Sequence, residues 1–96
     1  MFSFAYGIKN YLMPLVALQI AQQVLINNGF EVFDPVQPGK ITMAGNNYSA
    51  GVMVTVVSMD CEGGAATVIN AFTPNQNCVQ AARTMADTVC MAIQNA

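Results

Sequence analysis

The sequence predicts a two-layer α+β domain: an antiparallel sheet of about four short strands, with an N-terminal and a C-terminal helix packed on one face. Three observations carry this. Apolar residues recur at helical spacing in two segments near the ends of the chain. Between them lie runs rich in β-branched residues, separated by Gly, Pro and Asn clusters. Those separations are too short for the crossover of a dozen residues that parallel strands require, so the strands are antiparallel. Two amphipathic helices then pack most simply on one face of the sheet.

Residues 2–6 alternate, with Phe2, Phe4 and Tyr6 on one side and Ser3 and Ala5 on the other. Residues 1–9 are accordingly read as an extended aromatic arm or a short strand. Asn10 can cap a helix, and Pro14 is tolerable only in the first turn. Leu12, Val16, Ile20 and Val24 give that helix its stripe, with Met13, Ala17 and Ala21 beside it, until Asn28-Gly29 stops it. The helix is expected over 11–28.

Phe30 to Asp34 reads as a strand, followed by a turn with two prolines, Pro35 and Pro38. Ile41 to Ala44 is a second short strand, closed by Gly45-Asn46-Asn47. Residues 51–59 form the strongest strand, and Cys61-Glu62-Gly63-Gly64 turns it back into its hairpin partner at 65–72. Thr73-Pro74-Asn75-Gln76 then opens the last helix, with Thr73 as cap, Pro74 at the first helical position and Gln76 at the capping-box position. Its stripe is Cys78, Ala82, Met85, Ala86, Val89 and Ile93.

The 96 residues make one domain, 1–96, with 54% hydrophobic and only 8% charged residues. Asn and Gln number sixteen, twice the eight charged side chains. This composition excludes a disordered chain. It also argues against nucleic acid as a partner, because Lys9, Lys40 and Arg83 are the only basic side chains. No transmembrane span is expected, since Gln19, Gln22 and Gln23 interrupt the one candidate stretch. The first 26 residues read as part of the fold, Pro14 breaking the apolar run, with a signal-like segment as the weaker alternative. No compartment is specified: the cytoplasm is the default, and low charge suits an exported protein equally.

The sheet carries an anomaly. One set of residues in strand 51–59 is Val52, Val54, Val56 and Ser58, and the other is Met53, Thr55, Val57 and Met59. In strand 65–72 the sets are Ala66, Val68, Asn70 and Phe72 against Thr67, Ile69 and Ala71. Whichever set meets the helices, the other keeps several apolar side chains, and monomers rarely expose such surface. A second subunit, the aromatic arm or a lipid-like ligand would cover it. Phe2, Phe4, Tyr6, Met53, Val57, Met59 and Ile69 are the candidate ligand or interface residues.

Catalytic signals are sparse. Without His, the commonest general base is absent and no Ser-His or Cys-His pair can form within one chain. Asp60, Cys61 and Glu62 are the one compact polar cluster, and a hairpin turn accounts for them; carboxylates beside a thiol also disfavour the thiolate. Arg83, the only Arg, is the candidate contact for an anion. With Asp87 it reads as a weak surface pair. Cys61, Cys78 and Cys90 fit neither a disulfide framework nor a zinc site and read as small buried hydrophobes. The seven methionines are scattered, which suits packing rather than copper(I). Gly63-Gly64 lacks the Lys-Ser/Thr of a phosphate loop. No cofactor and no metal is expected.

The sequence thus reads as a non-enzymatic structural or interaction module that self-associates through an apolar sheet face or its aromatic arm, as a homo-oligomer. The alternative is a small carrier that binds an apolar ligand between sheet and helices. A third reading is an enzyme whose subunits share a site around Asp60, Cys61 and Glu62.

Overall fold

A computed structural model describes the whole chain, Met1–Ala96. The elements run β1 (Phe2–Asn10), α1 (Pro14–Asn27), β2 (Glu31–Asp34), β3 (Thr42–Asn47), β4 (Val52–Cys61), β5 (Gly64–Thr73), a single 3₁₀ turn (Gln76–Cys78) and α2 (Val79–Gln94). The strands form one sheet in the order β1-β5-β4-β3-β2, every neighbouring pair antiparallel. The class is therefore α+β with a five-stranded antiparallel sheet and two helices.

The fifth strand is the aromatic segment. Residues 2–10 pair along their whole length with β5, from Phe2 opposite Thr73 to Asn10 opposite Ala65. The alternation seen at Phe2, Phe4 and Tyr6 continues through Ile8. Gly7 and Lys9 take the solvent-facing positions on either side of Ile8, as the alternation requires. The segment is thus an edge strand that widens the sheet, not an arm laid across it.

β1 and β2 occupy opposite edges, so α1 must carry the chain across the sheet. Its 14 residues span roughly 21 Å, and four inter-strand gaps amount to roughly 19 Å. The helix begins later than 11: Met13 is extended, as the residue before proline prefers, and Pro14 takes the first helical position. Asn10 does not cap it. Its side-chain oxygen instead accepts from the Leu12 amide at 3.0 Å, turning the chain out of β1. The helix ends as expected. Gly29 takes φ +82° and donates to the Ile26 carbonyl, and Phe30 donates to Leu25 at 2.9 Å, a reciprocal C-terminal cap.

The buried face of α1 is Ala17, Leu18, Ala21 and Leu25, not the Leu12-Val16-Ile20-Val24 row. Four residues turn a helix by 400°, so an i+4 row drifts about 40° per step away from any flat partner. The buried set alternates three- and four-residue steps and stays aligned. Val16 is left exposed, while Ile20 and Val24 border the core. In α2 the expected stripe holds: Ala82, Met85, Ala86, Val89 and Ile93 are buried, and Cys78 packs against them from the 3₁₀ turn. The cap differs. Thr73 and Pro74 precede the helical residues, and Asn75 caps by accepting from the Asn77 amide at 2.9 Å.

Both helices lie on the same sheet face. The core gathers Val52, Val54 and Val56 of β4 and Ile69 and Ala71 of β5 with the buried residues of α1 and α2. Leu18 and Leu25 are fully buried, so truncating either to Ala would cost about 2–5 kcal/mol. At one end of this layer Asn10, Thr67 and Ser58 form a buried polar row across β1, β5 and β4. Asn10 Nδ2 donates to Thr67 Oγ1 at 3.0 Å, and the two hydroxyls lie 2.9 Å apart.

Candidate binding pocket

The opposite face carries Met53, Thr55, Val57 and Met59 of β4 beside Phe72, Asn70, Val68 and Ala66 of β5. No helix or arm covers it. Val57, Met59 and Val68 are 37%, 52% and 49% exposed, so the apolar second face is real. It adjoins a pocket of about 470 Å³ at the end of the sheet where the β3–β4 turn meets the end of β5.

Local chemistry builds this pocket. In the turn, Asn47 Oδ1 accepts from the Ala50 amide at 3.1 Å, and Gly51 adopts φ +66°. A side chain at Gly51 would place its Cβ 3.1 Å from Cys78 Sγ, so glycine lets the turn close onto the start of α2. Beyond β5, Thr73 Oγ1 accepts from the Asn75 amide at 3.2 Å and folds Pro74-Asn75 back toward the turn. Val52, Met53, Phe72 and Pro74 form the apolar lining, with Met1 at its margin and Asn46, Asn47, Asn75 and Tyr48 around it. Asn47 and Asn75 spend their carbonyl oxygens on the local turns, which leaves amide N–H groups to donate.

No carboxylate, thiol or side-chain amine lines the pocket. The lining combines apolar side chains with side-chain amides, the composition that holds an apolar body and hydrogen-bonds a polar edge. One unpaired group lies on the same outer face: the Asn70 side-chain oxygen is buried there without a partner.

The structure scatters the residues singled out in the sequence. Met53 lines the pocket. Val57 and Met59 lie farther along the same face. Ile69 is fully buried between sheet and helices, so it belongs to neither ligand site nor interface. It sits on the other pleat from Val68, and alternation put it there. Phe4 and Tyr6 face α2 rather than the outer surface, and Phe2 lies exposed at the head of β1.

Asp60, Cys61 and Glu62 close the β4–β5 hairpin at the far end of β4, eight residues from Met53, or roughly 27 Å. No three His, Cys, Asp or Glu side chains converge into a metal-binding group anywhere in the chain, and the three cysteines are unbridged. Cys90 stays a thiol, because burial and then the Asp87 charge push its pKa up.

Arg83 and Asp87 are not a pair with each other. The Arg83 guanidinium stacks 4.9 Å from the Phe4 ring centre, and Asp87 accepts from the Tyr6 hydroxyl. Two polar α2 residues are thus anchored on aromatic side chains of β1.

Asn46, Tyr48, Pro74 and Asn75 were not among the residues singled out. The available signal was topological. Gly45-Asn46-Asn47, expected as a turn, instead completes β3, and the turn is Tyr48–Gly51; the antiparallel meander sets that turn beside Thr73-Pro74-Asn75 at the open end of the β4–β5 hairpin.

No helix is long and apolar enough to cross a membrane. No protein-family model matches the chain, and no curated protein does. Among solved structures the chain is similar to the crystal structure of Ara h 8.0201, with 11% sequence identity and a TM-score of 0.45, over 98% of this chain and 95% of that one.

Proposed function

We propose that the chain is a non-enzymatic binding module that takes a small molecule with an apolar body and a polar edge in the pocket beside Met53 and Phe72. One observation carries this: a 470 Å³ hollow with an apolar lining and side-chain amides around it, in a size range typical of small-ligand sites. The space between sheet and helices, where a carrier was expected to hold its ligand, is filled by sixteen buried residues. Binding belongs at the end of the sheet instead.

The probe is 8-anilinonaphthalene-1-sulfonate, which has an apolar ring system and a polar group. Its fluorescence should rise on binding, and Phe72→Ala should weaken that binding at least about fivefold, the loss of one aromatic contact. Val57→Asp, farther along the same face, should leave it unchanged. Equal loss in both variants, or in neither, overturns the reading.

Self-association is the second reading, favoured by exposed Val57, Met59 and Val68 and by the open edge of β1.

A further inference from the structure

The two sheet edges are built differently. The β2 edge has four residues, a register break between Val32 and Asp34, two carboxylates, and Pro35 directly after it. Each feature discourages a further strand. The β1 edge has nine residues, continuous register, no proline and a single charge, Lys9. It is a template for another strand.

Its flanks identify the occupant. On the outer face β1 presents only Ser3, Ala5 and Gly7 before Lys9, so nothing bulky blocks continuation of the sheet. On the inner face α2 holds Arg83 over Phe4 and Asp87 over Tyr6, both exposed. Along this flank the charges run in order, positive at residue 4 and negative at residue 6.

We propose that two copies of this chain join edge to edge by antiparallel pairing of their β1 strands, centred on Ala5. In that register Phe4 lies opposite Tyr6 of the second copy, so Arg83 of each copy faces Asp87 of the other, twice around the two-fold axis. Centring on Tyr6 sets the two Asp87 carboxylates against each other, and centring on Phe4 opposes the two Arg83 side chains. Charge selects the Ala5 register. The pairing also places two Phe–Tyr cross-strand pairs and two Phe2–Ile8 pairs under the helices. A segment without this order of charges would gain the main-chain hydrogen bonds but not the ion pairs, which is why the second copy is the partner.

This inference rests on the self-association reading and specifies how it occurs. Light scattering at 10–100 µM tests it. The wild-type chain should have twice its 10.2 kDa mass. Arg83→Asp and Asp87→Arg each create like-charge contacts and should raise the dissociation constant at least about tenfold. An equimolar mixture of the two variants restores opposite charges at both contacts, so it should dimerise as wild type does. Circular dichroism checks that each variant is folded. In the wild type, amide exchange at alternate residues of β1 should slow as concentration rises. A dimer indifferent to both variants, or with unprotected β1 amides, overturns the edge pairing and leaves self-association standing. A monomeric wild type overturns both.

Discussion

The Tyr6 hydroxyl donates to the Asp87 carboxylate at 2.5 Å, joining the edge strand to the last helix across 81 residues of sequence. The bond holds the phenol neutral: it, and then burial, raise the Tyr6 pKa above the ordinary value of about 10. A group whose folded pKa is raised contributes stability in full below its unfolded pKa and loses it as pH rises through the folded one. Urea unfolding of the wild type should therefore weaken above about pH 10. Tyr6→Phe should be less stable at pH 7 and lose less on going alkaline.

Asp34 works in the acid direction. Hydrogen bonds from Lys40, then from Thr42, hold its carboxyl below the usual value. That contribution is present above the unfolded carboxylate pKa of about 4 and lost as pH falls through the lower folded value. Asp34→Asn should flatten the acid limb of the stability profile below about pH 4, with little change in melting temperature at pH 7 because the pair is partly exposed.

The buried row Asn10–Thr67–Ser58 is sensitive at its centre, since Thr67 serves both neighbours. Thr67→Val keeps the shape but strands the Asn10 amide and the Ser58 hydroxyl. Denaturant unfolding should show a loss of about 1–3 kcal/mol. Ser58→Ala, which leaves the Asn10–Thr67 bond intact, should cost less.

Gly64 is the position least tolerant of a side chain. Its φ is +158°, and a Cβ would fall 2.0 Å from the Asn10 carbonyl oxygen across the β1–β5 pair. Gly64→Ala should destabilise by about 2–4 kcal/mol, the range of backbone strain added to a main-chain clash. Gly7→Ala, with open space at its Cβ, should be close to neutral in the same assay.

Periodicity made the interior legible. The two faces of β4 and β5 follow from strict alternation, and the α2 stripe from three- and four-residue steps. The Asn28-Gly29 stop follows from the conformation a helix end requires. What escaped depended on partners distant in sequence. Residues 1–9 read equally as an arm or a short strand, because nothing local says that β5, more than fifty positions later, will pair with them. Asn10 and Thr73 have good capping chemistry, yet Asn10 joins a buried row with Thr67, and Thr73 turns the chain locally at Asn75, which makes the cap. The pocket was the least visible feature. Asn46, Asn47 and Asn75 look like ordinary turn residues, yet the first two end β3, and only the meander brings them beside Asn75.

The measurement closest to the central claim is a titration of the ¹⁵N-labelled chain with 8-anilinonaphthalene-1-sulfonate, followed by amide chemical shifts. Binding in the pocket gives saturable shifts confined to its lining, at Asn46, Tyr48, Gly51, Met53, Phe72 and Asn75. Shifts centred on Val57, Met59 and Val68, or on core residues such as Ile69 and Val89, would contradict it.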